Sequence, residues 1–376
     1  MPAQSNKIGV LMSIESQYFD ASDKAKSFVR DSLCIDTHLF AGKVGWPEDK
    51  LFSEYHERAR QTGIDAFGVS ISNHNNSFEE ALAIQQNFLK RVIAASNRFA
   101  IVRTADDIAR AASAGQQALF FSAQGSSLLN EDPEYNMPAL KNMGVGTMSL
   151  VYNGPSQAGS GCMVDDPGEV TAYGKTIIDQ LHANNMILDL SHASEETALS
   201  AIDYSRQTSP DRPVIYSHST PRNVCEAYRN ISDDEVRACA ATGGVVGLNT
   251  CPWFIVNERA AETRPADIAD AIEYVQDLVG IEHVALASDD VYCWEVVWAY
   301  VEKAANAASD VDPDSRAGRQ RTLSLEAAKN KPYRAAEAAK VYPAVVDELW
   351  SRGFDDASIA NVLGGNLLRV IETVWG

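Results

Sequence analysis

The chain has 376 residues, 45% of them hydrophobic and 22% charged, the composition of an ordinary folded globular protein. A formal net charge of −19 and a pI near 4.8 exclude the basic surface that nucleic acid or an anionic membrane requires. No apolar run approaches the roughly 18 residues of a membrane span.

The first segment, MPAQSNKIGVLMSIESQ, has one early Lys, a short apolar patch and no clear cleavage region. It reads as part of an N-terminal extension (residues 1–30), not as a signal peptide. Six cysteines (34, 162, 225, 239, 251 and 293) are scattered without a C-x-x-C pair. They are expected to be reduced thiols in a cytoplasmic protein, and no disulfide framework is expected.

Short apolar runs bounded by turn residues then recur along the chain. They are Leu33–Leu39, Ala66–Ile71, Ala118–Phe121, Gly146–Val151, Met186–Leu190, Pro213–Tyr216, Gly244–Leu248 and His283–Ala287. Helical periodicity fills the intervals over Ser77–Ala95, Gly168–Ala183, Ser194–Ser205, Ser232–Thr242 and Arg264–Val279. Ser194 and Ser232, each followed by acids, have the pattern of helix caps. Eight alternating strand and helix units, with strands apolar on both faces, predict a closed (β/α)8 TIM barrel in the α/β class. An open doubly wound sheet is the alternative. After the eighth strand, residues 291–345 read as a helical insertion with a break at Pro332, and a last helix begins at Ala357. The whole of 1–376 is expected to form one domain with extra C-terminal helices.

Active sites of such barrels lie at the C-terminal ends of the strands. There the chain places Asp36 and His38, Gln124, Tyr152 and Asn153, Asp189 and His192, His218, Asn249, and Asp289. Three of the seven histidines and an aspartate on one rim point to a metal centre, because neutral imidazole and carboxylate suit zinc. His56, His182 and His283 fit structural roles better, whereas His74 follows the second strand and is left open between pocket and structure. By strand alternation Asp36 shares a side with His38, as a partner that orients it or as a substitute ligand.

The stretches "IDTHLF", "LDLSHAS", "PVIYSHSTPRN", "RNISDDEV", "GGVVGLN", "YVQDLVGIEHVALASDD" and "LGGNLLRVIE" resemble the membrane (renal) dipeptidase family, zinc-dependent barrel enzymes that cleave dipeptides. They run in family order from about residue 31 to the C-terminus. The resemblance implies His38, His192 and His218 as metal ligands, with Gln124, at the position of a bridging Glu, as a weaker neutral ligand and Phe40 at the position of an Asp. It further implies Asp289 as the proton carrier, Arg229 as the holder of a substrate carboxylate, and Tyr152 in place of a substrate-contacting His. Tyr152 and Asn153 are expected to face substrate, Tyr152 also as a donor to a developing oxyanion. Arg222 also precedes an Asn, but stands too near His218 in sequence for the carboxylate role.

Two divalent ions about 3.5–4 Å apart repel by roughly 17–19 kcal/mol at an effective dielectric of about 20, so a paired centre needs acids between its ions. With Phe40 and Gln124 in acid positions, one zinc at most is expected. The leading expectation is therefore an atypical hydrolase acting on a small amide or dipeptide-like substrate with a free carboxylate. A biosynthetic maturation enzyme of isomerase or lyase type on the same scaffold, without a paired metal centre, and a non-catalytic binding member are the alternatives. Family resemblance alone implies a homodimer.

Overall fold

In the computed structural model the described residues are 20–40, 49–72, 76–129, 132–256, 263–291, 302–303, 305–306, 310–330 and 338–376. Ten parallel-paired strands form one sheet: β1 Ile35–Phe40, β2 Ala66–Ser70, β3 Phe99–Ile101, β4 Gln117–Ala123, β5 Val145–Ser149, β6 Ile187–Asp189, β7 Ile215–Tyr216, β8 Val245–Asn249, β9 Val284–Ala287 and β10 Asp290–Val291. The order is β10-β1-β2-β4-β5-β6-β7-β8-β9. Because β10 continues β9 after only Ser288 and Asp289, its pairing of Leu39 with Asp290 closes the ring. The closed barrel is therefore the fold, and the open-sheet alternative falls.

All eight expected strands are present. The sequence pattern missed β3 and β10, which have three and two residues. β3 pairs only with β4, outside the ring. Runs so short leave no periodicity to detect.

The helices between strands start where the sequence places their caps. Ser77 and Ser232 form reciprocal capping boxes with Glu80 and Glu235, and Ser194 accepts from the Thr197 amide. Each cap fixes where a strand-end loop stops, and so how much chain remains to shape the rim.

The opposite mouth is closed by the C-terminal helix Asn366–Trp375. Its Leu367, Val370, Ile371, Val374 and Trp375 pack with residues near the start of several strands, including Ile35, Ala66, Ile187 and Val245. Trp375 donates to the Gly146 carbonyl at 3.1 Å, and a Cβ on Gly146 would lie 2.1 Å from the indole. The sequence predicts one helix from Ala357. The structure has Asp356–Ala360, a π turn over Asn361–Gly365, and then Asn366–Trp375. A Cβ on Gly364 would stand 2.5 Å from the Leu33 carbonyl, so this close approach to the start of β1 needs glycine.

Beyond the barrel, helices Arg316–Asn330 and Ala338–Ser351 occupy the region read as an insertion. The expected break at Pro332, the 1–19 segment, His74 and Cys293 lie outside the described residues. Among the described residues no helix is long and apolar enough to cross a membrane. Five cysteines are free and buried.

Candidate metal centre

The first strand carries an irregularity that sets the site. Asp36 pairs with Phe67 and Leu39 with Val69, so Thr37 and His38 together oppose Gly68. The Thr37 hydroxyl points to the Ser217 and Leu286 carbonyls, and the His38 ring stacks on His218 with centroids 3.9 Å apart. Simple alternation therefore fails here, and Asp36 does not share the side of His38. Its Oδ1 accepts from the main-chain amides of His38 (3.2 Å) and Ser288 (2.9 Å), not from the imidazole. His38 Nδ1 is buried without a hydrogen-bond partner among the described residues.

His192 and His218 face each other through Nε2, 3.0 Å apart. Their outer nitrogens decide what that contact means. Asn153 Oδ1 can only accept, so His192 Nδ1, 2.6 Å away, carries the proton. Ser217 donates its hydroxyl proton to Asp189 Oδ2 at 2.6 Å, and its oxygen is left to accept from His218 Nδ1 at 2.7 Å. Asp189 Oδ1 in turn accepts from the amides of Ser191 and Ser217, which fixes the carboxylate. In the tautomer with the proton on Nδ1, each Nε2 is aimed at the other and can ligate a cation. Burial first, then the neighbouring His38 and Arg229, holds the His218 pKa well below its usual value, so the ring stays neutral. Two neutral imidazoles of that tautomer repel at this distance, and a cation held by both nitrogens removes the repulsion.

His38 completes the cluster. His38, His218 and Asp289 each offer a ligand atom within 4.8 Å of the others. Burial, with Arg229 nearby, lowers the His38 pKa to about 3 and leaves that ring neutral too. Gln124, however, turns its amide nitrogen to His38 Nε2 and to Ser70 Oγ, both at 3.0 Å. The residue expected as a ligand presents its donor to the metal-facing lone pair of His38. The side chain of Phe40, at the end of β1, lies outside the described residues.

Asp289 is 22% exposed in its side chain. Desolvation raises its pKa to about 6 against the opposing effects of the Asn249 hydrogen bond and the Arg229 charge. Asn249 donates to Oδ2 at 2.9 Å, while Oδ1 faces His38 Nε2 at 3.9 Å. His192 (φ 76°) and Asp289 (φ 49°) both sit in the left-handed region, which costs a non-glycine residue roughly 1–2 kcal/mol. That strain turns each side chain sharply off its strand end.

Tyr152 stacks on His192 at 4.1 Å between centroids. Arg229 is 4% exposed and donates to Ser219 Oγ and to the His218 carbonyl, both at 2.9 Å. Arg222 instead pairs with Glu195 at 3.2 Å, away from these groups. Asn153, expected to touch substrate, has its carbonyl oxygen occupied by His192 and by the Cys162 thiol. The three remaining described histidines are structural: His56 meets Gln117, His182 meets Ser205, and His283 meets the Gly244 carbonyl. The sequence reading missed the roles of Asn249, Ser217 and Asp189 as holders of the rim. All three stand at strand ends inside the quoted stretches "LDLSHAS", "PVIYSHSTPRN" and "GGVVGLN", but their partners are remote in sequence.

The donor set fits a metal: imidazoles that gather their Nε2 atoms, the outer nitrogens of His192 and His218 tied down by hydrogen bonds, and a nearby carboxylate. The membrane dipeptidase profile (peptidase family M19) matches residues 7–293, and the chain belongs to that family. Among its relatives are dipeptidase aclJ of Aspergillus oryzae, 26% identical over 234 residues (62% of this chain and 46% of that protein), and dipeptidase verJ of Clonostachys rogersoniana, 26% identical over 282 residues (74% and 61%). The chain thus spans roughly half of the length of these relatives. In structure it is similar to an amidohydrolase from Pseudomonas aeruginosa (TM-score 0.73, 23% identity, 94% of this chain and 99% of that one). A Rhodobacter sphaeroides metallo peptidase liganded with a phosphinate mimic of L-Ala-D-Ala aligns with TM-score 0.67 and 18% identity, over 92% of this chain and 100% of that one. These two likenesses establish the barrel fold.

Proposed function

We propose that the chain is a hydrolase of dipeptide-like substrates bearing a free carboxylate, working with a single zinc ion. The observation that carries this reading is the facing pair of Nε2 atoms on His192 and His218, 3.0 Å apart in the buried rim. Those two residues would hold the ion, with His38 joining when Gln124 yields its hydrogen bond. The chemistry that such an ion supplies is Lewis-acid activation of water and of an amide carbonyl. A single ion follows from the Gln124 amide against His38 and from the missing acid at Phe40.

Asp289, with a carboxyl pKa near 6, takes a proton from water and returns it to the leaving amine. Arg229 keeps one hydrogen on each terminal nitrogen beyond those bonded to Ser219 and His218, and directs them at a substrate carboxylate. Tyr152 offers its hydroxyl to the developing oxyanion. The alternatives of a maturation enzyme and of a non-catalytic member find no support in the named relatives, which are dipeptidases. A cytoplasmic homodimer is part of the proposal and rests on family resemblance and cysteine usage.

Metal analysis after zinc reconstitution, paired with a dipeptide panel scored for released amino acids, tests the reading. One zinc per chain and zinc-dependent release support it. Two ions per chain would overturn the single-ion assignment, and zinc-loaded protein that cleaves no dipeptide would overturn the hydrolase assignment.

A further inference from the structure

Helix Arg316–Asn330 begins against two of the rim loops. The Arg316 amide donates to Asp165 Oδ1 at 2.8 Å, in the loop after β5. The Arg316 and Arg319 guanidinium groups lie 5.4 and 5.3 Å from the ring centre of Tyr228, the residue before Arg229. Arg319 Nε donates to the Tyr228 hydroxyl at 2.8 Å, which fixes the stack. Arg316 and Arg229 both act electrostatically on the Cys162 thiol, whose partner Asn153 holds His192.

The charges on these two arginines are unusual for a chain of net charge −19. Neither guanidinium has a carboxylate within ion-pair distance among the described residues. Asp165 receives the Arg316 main chain, and Asp314 offers Arg319 only its carbonyl. Arg319 spends Nε on the Tyr228 hydroxyl and an Nη1 hydrogen on the Asp314 carbonyl, which leaves its Nη2 for a ligand, while stacking orients Arg316 for a carboxylate. In an acidic protein, two arginines side by side on Tyr228 also offset part of the repulsion of an anionic ligand.

We propose that Arg316 and Arg319, stacked on Tyr228, form an anion subsite that selects substrates carrying an acidic side chain besides the carboxylate assigned to Arg229. This rests on the hydrolase reading above. The acidic group stays on the rim, outside the histidine cluster, so the subsite governs selectivity and takes no part in bond cleavage.

The test compares L-Ala-L-Glu and L-Ala-D-Glu with L-Ala-L-Ala and L-Ala-D-Ala on zinc-loaded full-length protein, by kcat/KM and by calorimetric binding. About a tenfold preference for the glutamyl dipeptides is expected. It should shrink to twofold or less in the double variant Arg316→Gln with Arg319→Gln, and in 0.5 M salt for the unmodified protein. Equal handling of glutamyl and alanyl dipeptides, or a preference that the double variant retains, would overturn the subsite. If no dipeptide is cleaved, the hydrolase reading fails, and the calorimetric preference alone decides the subsite in the same two directions.

Discussion

His192 and His218 are locked into the same tautomer from opposite sides, one by Asn153 and the other by Ser217 acting through Asp189. Their Nε2 atoms consequently face one another 3.0 Å apart. Converting both to alanine should abolish zinc binding by the reconstituted chain. Phe40→Asp combined with Gln124→Glu should raise zinc towards two per chain, because two anions are restored between the ions. Elemental analysis after gel filtration reads both. An unchanged zinc content in the second variant would contradict the charge argument.

Asn153 holds His192 without facing the cluster itself. Asn153→Ala should weaken zinc affinity by about 10–100-fold, the usual effect of losing the residue that orients a ligand. Asn153→Asp keeps the acceptor and should retain most of the affinity. Chelator competition measures both without reference to turnover.

Arg229 bridges Ser219 and the His218 carbonyl with two of its nitrogens. Lysine has one nitrogen and cannot span both groups while holding a carboxylate. Arg229→Lys should raise KM for dipeptides tenfold or more and lower the melting temperature. A KM within twofold of the parent would remove Arg229 from substrate binding.

Glu235 is buried, accepting from the Tyr216 hydroxyl at 3.1 Å and from the Ser232 amide at 2.7 Å. Desolvation raises its pKa from 4.5 to about 7. Between those values the folded chain keeps a proton that the unfolded chain has released, so stability falls as pH rises. The contribution is full below 4.5 and gone above about 7, and is worth about 3 kcal/mol at most. Glu235→Gln keeps both contacts, with the Tyr216 oxygen accepting, and removes the titration. Urea unfolding of zinc-free protein should therefore show the variant gaining on the parent from pH 5 to pH 8. A constant difference across that range would refute the assignment.

The Thr37 hydroxyl lies inside the barrel against the Ser217 and Leu286 carbonyls. Thr37→Val preserves shape but leaves those carbonyls without that donor, at a cost of about 1–3 kcal/mol. Denaturant midpoints measure the loss. A neutral substitution would mean that Thr37 does not tie β1 to β7 and β9.

The sequence alone determined the eight-strand alternation, the capped helices and the arrival of His38, His192, His218 and Asp289 at strand ends. Those features rest on local periodicity and on residues close together in the chain. It also set Phe40 and Gln124 where the family resemblance implies acids, the basis of the single-ion proposal, since side-chain charge needs no coordinates. Tertiary structure alone decided the rest. The bulge turning Thr37 and His38 inward while Asp36 meets main-chain amides depends on how β1 registers against β2. The tautomers of His192 and His218 depend on Asn153 and Asp189, which lie 39 and 29 residues away respectively. Likewise, nothing near Tyr228 in sequence announces Arg316. Register, tautomer and charge pairing are set by neighbours in space, and a one-dimensional pattern records only neighbours in sequence.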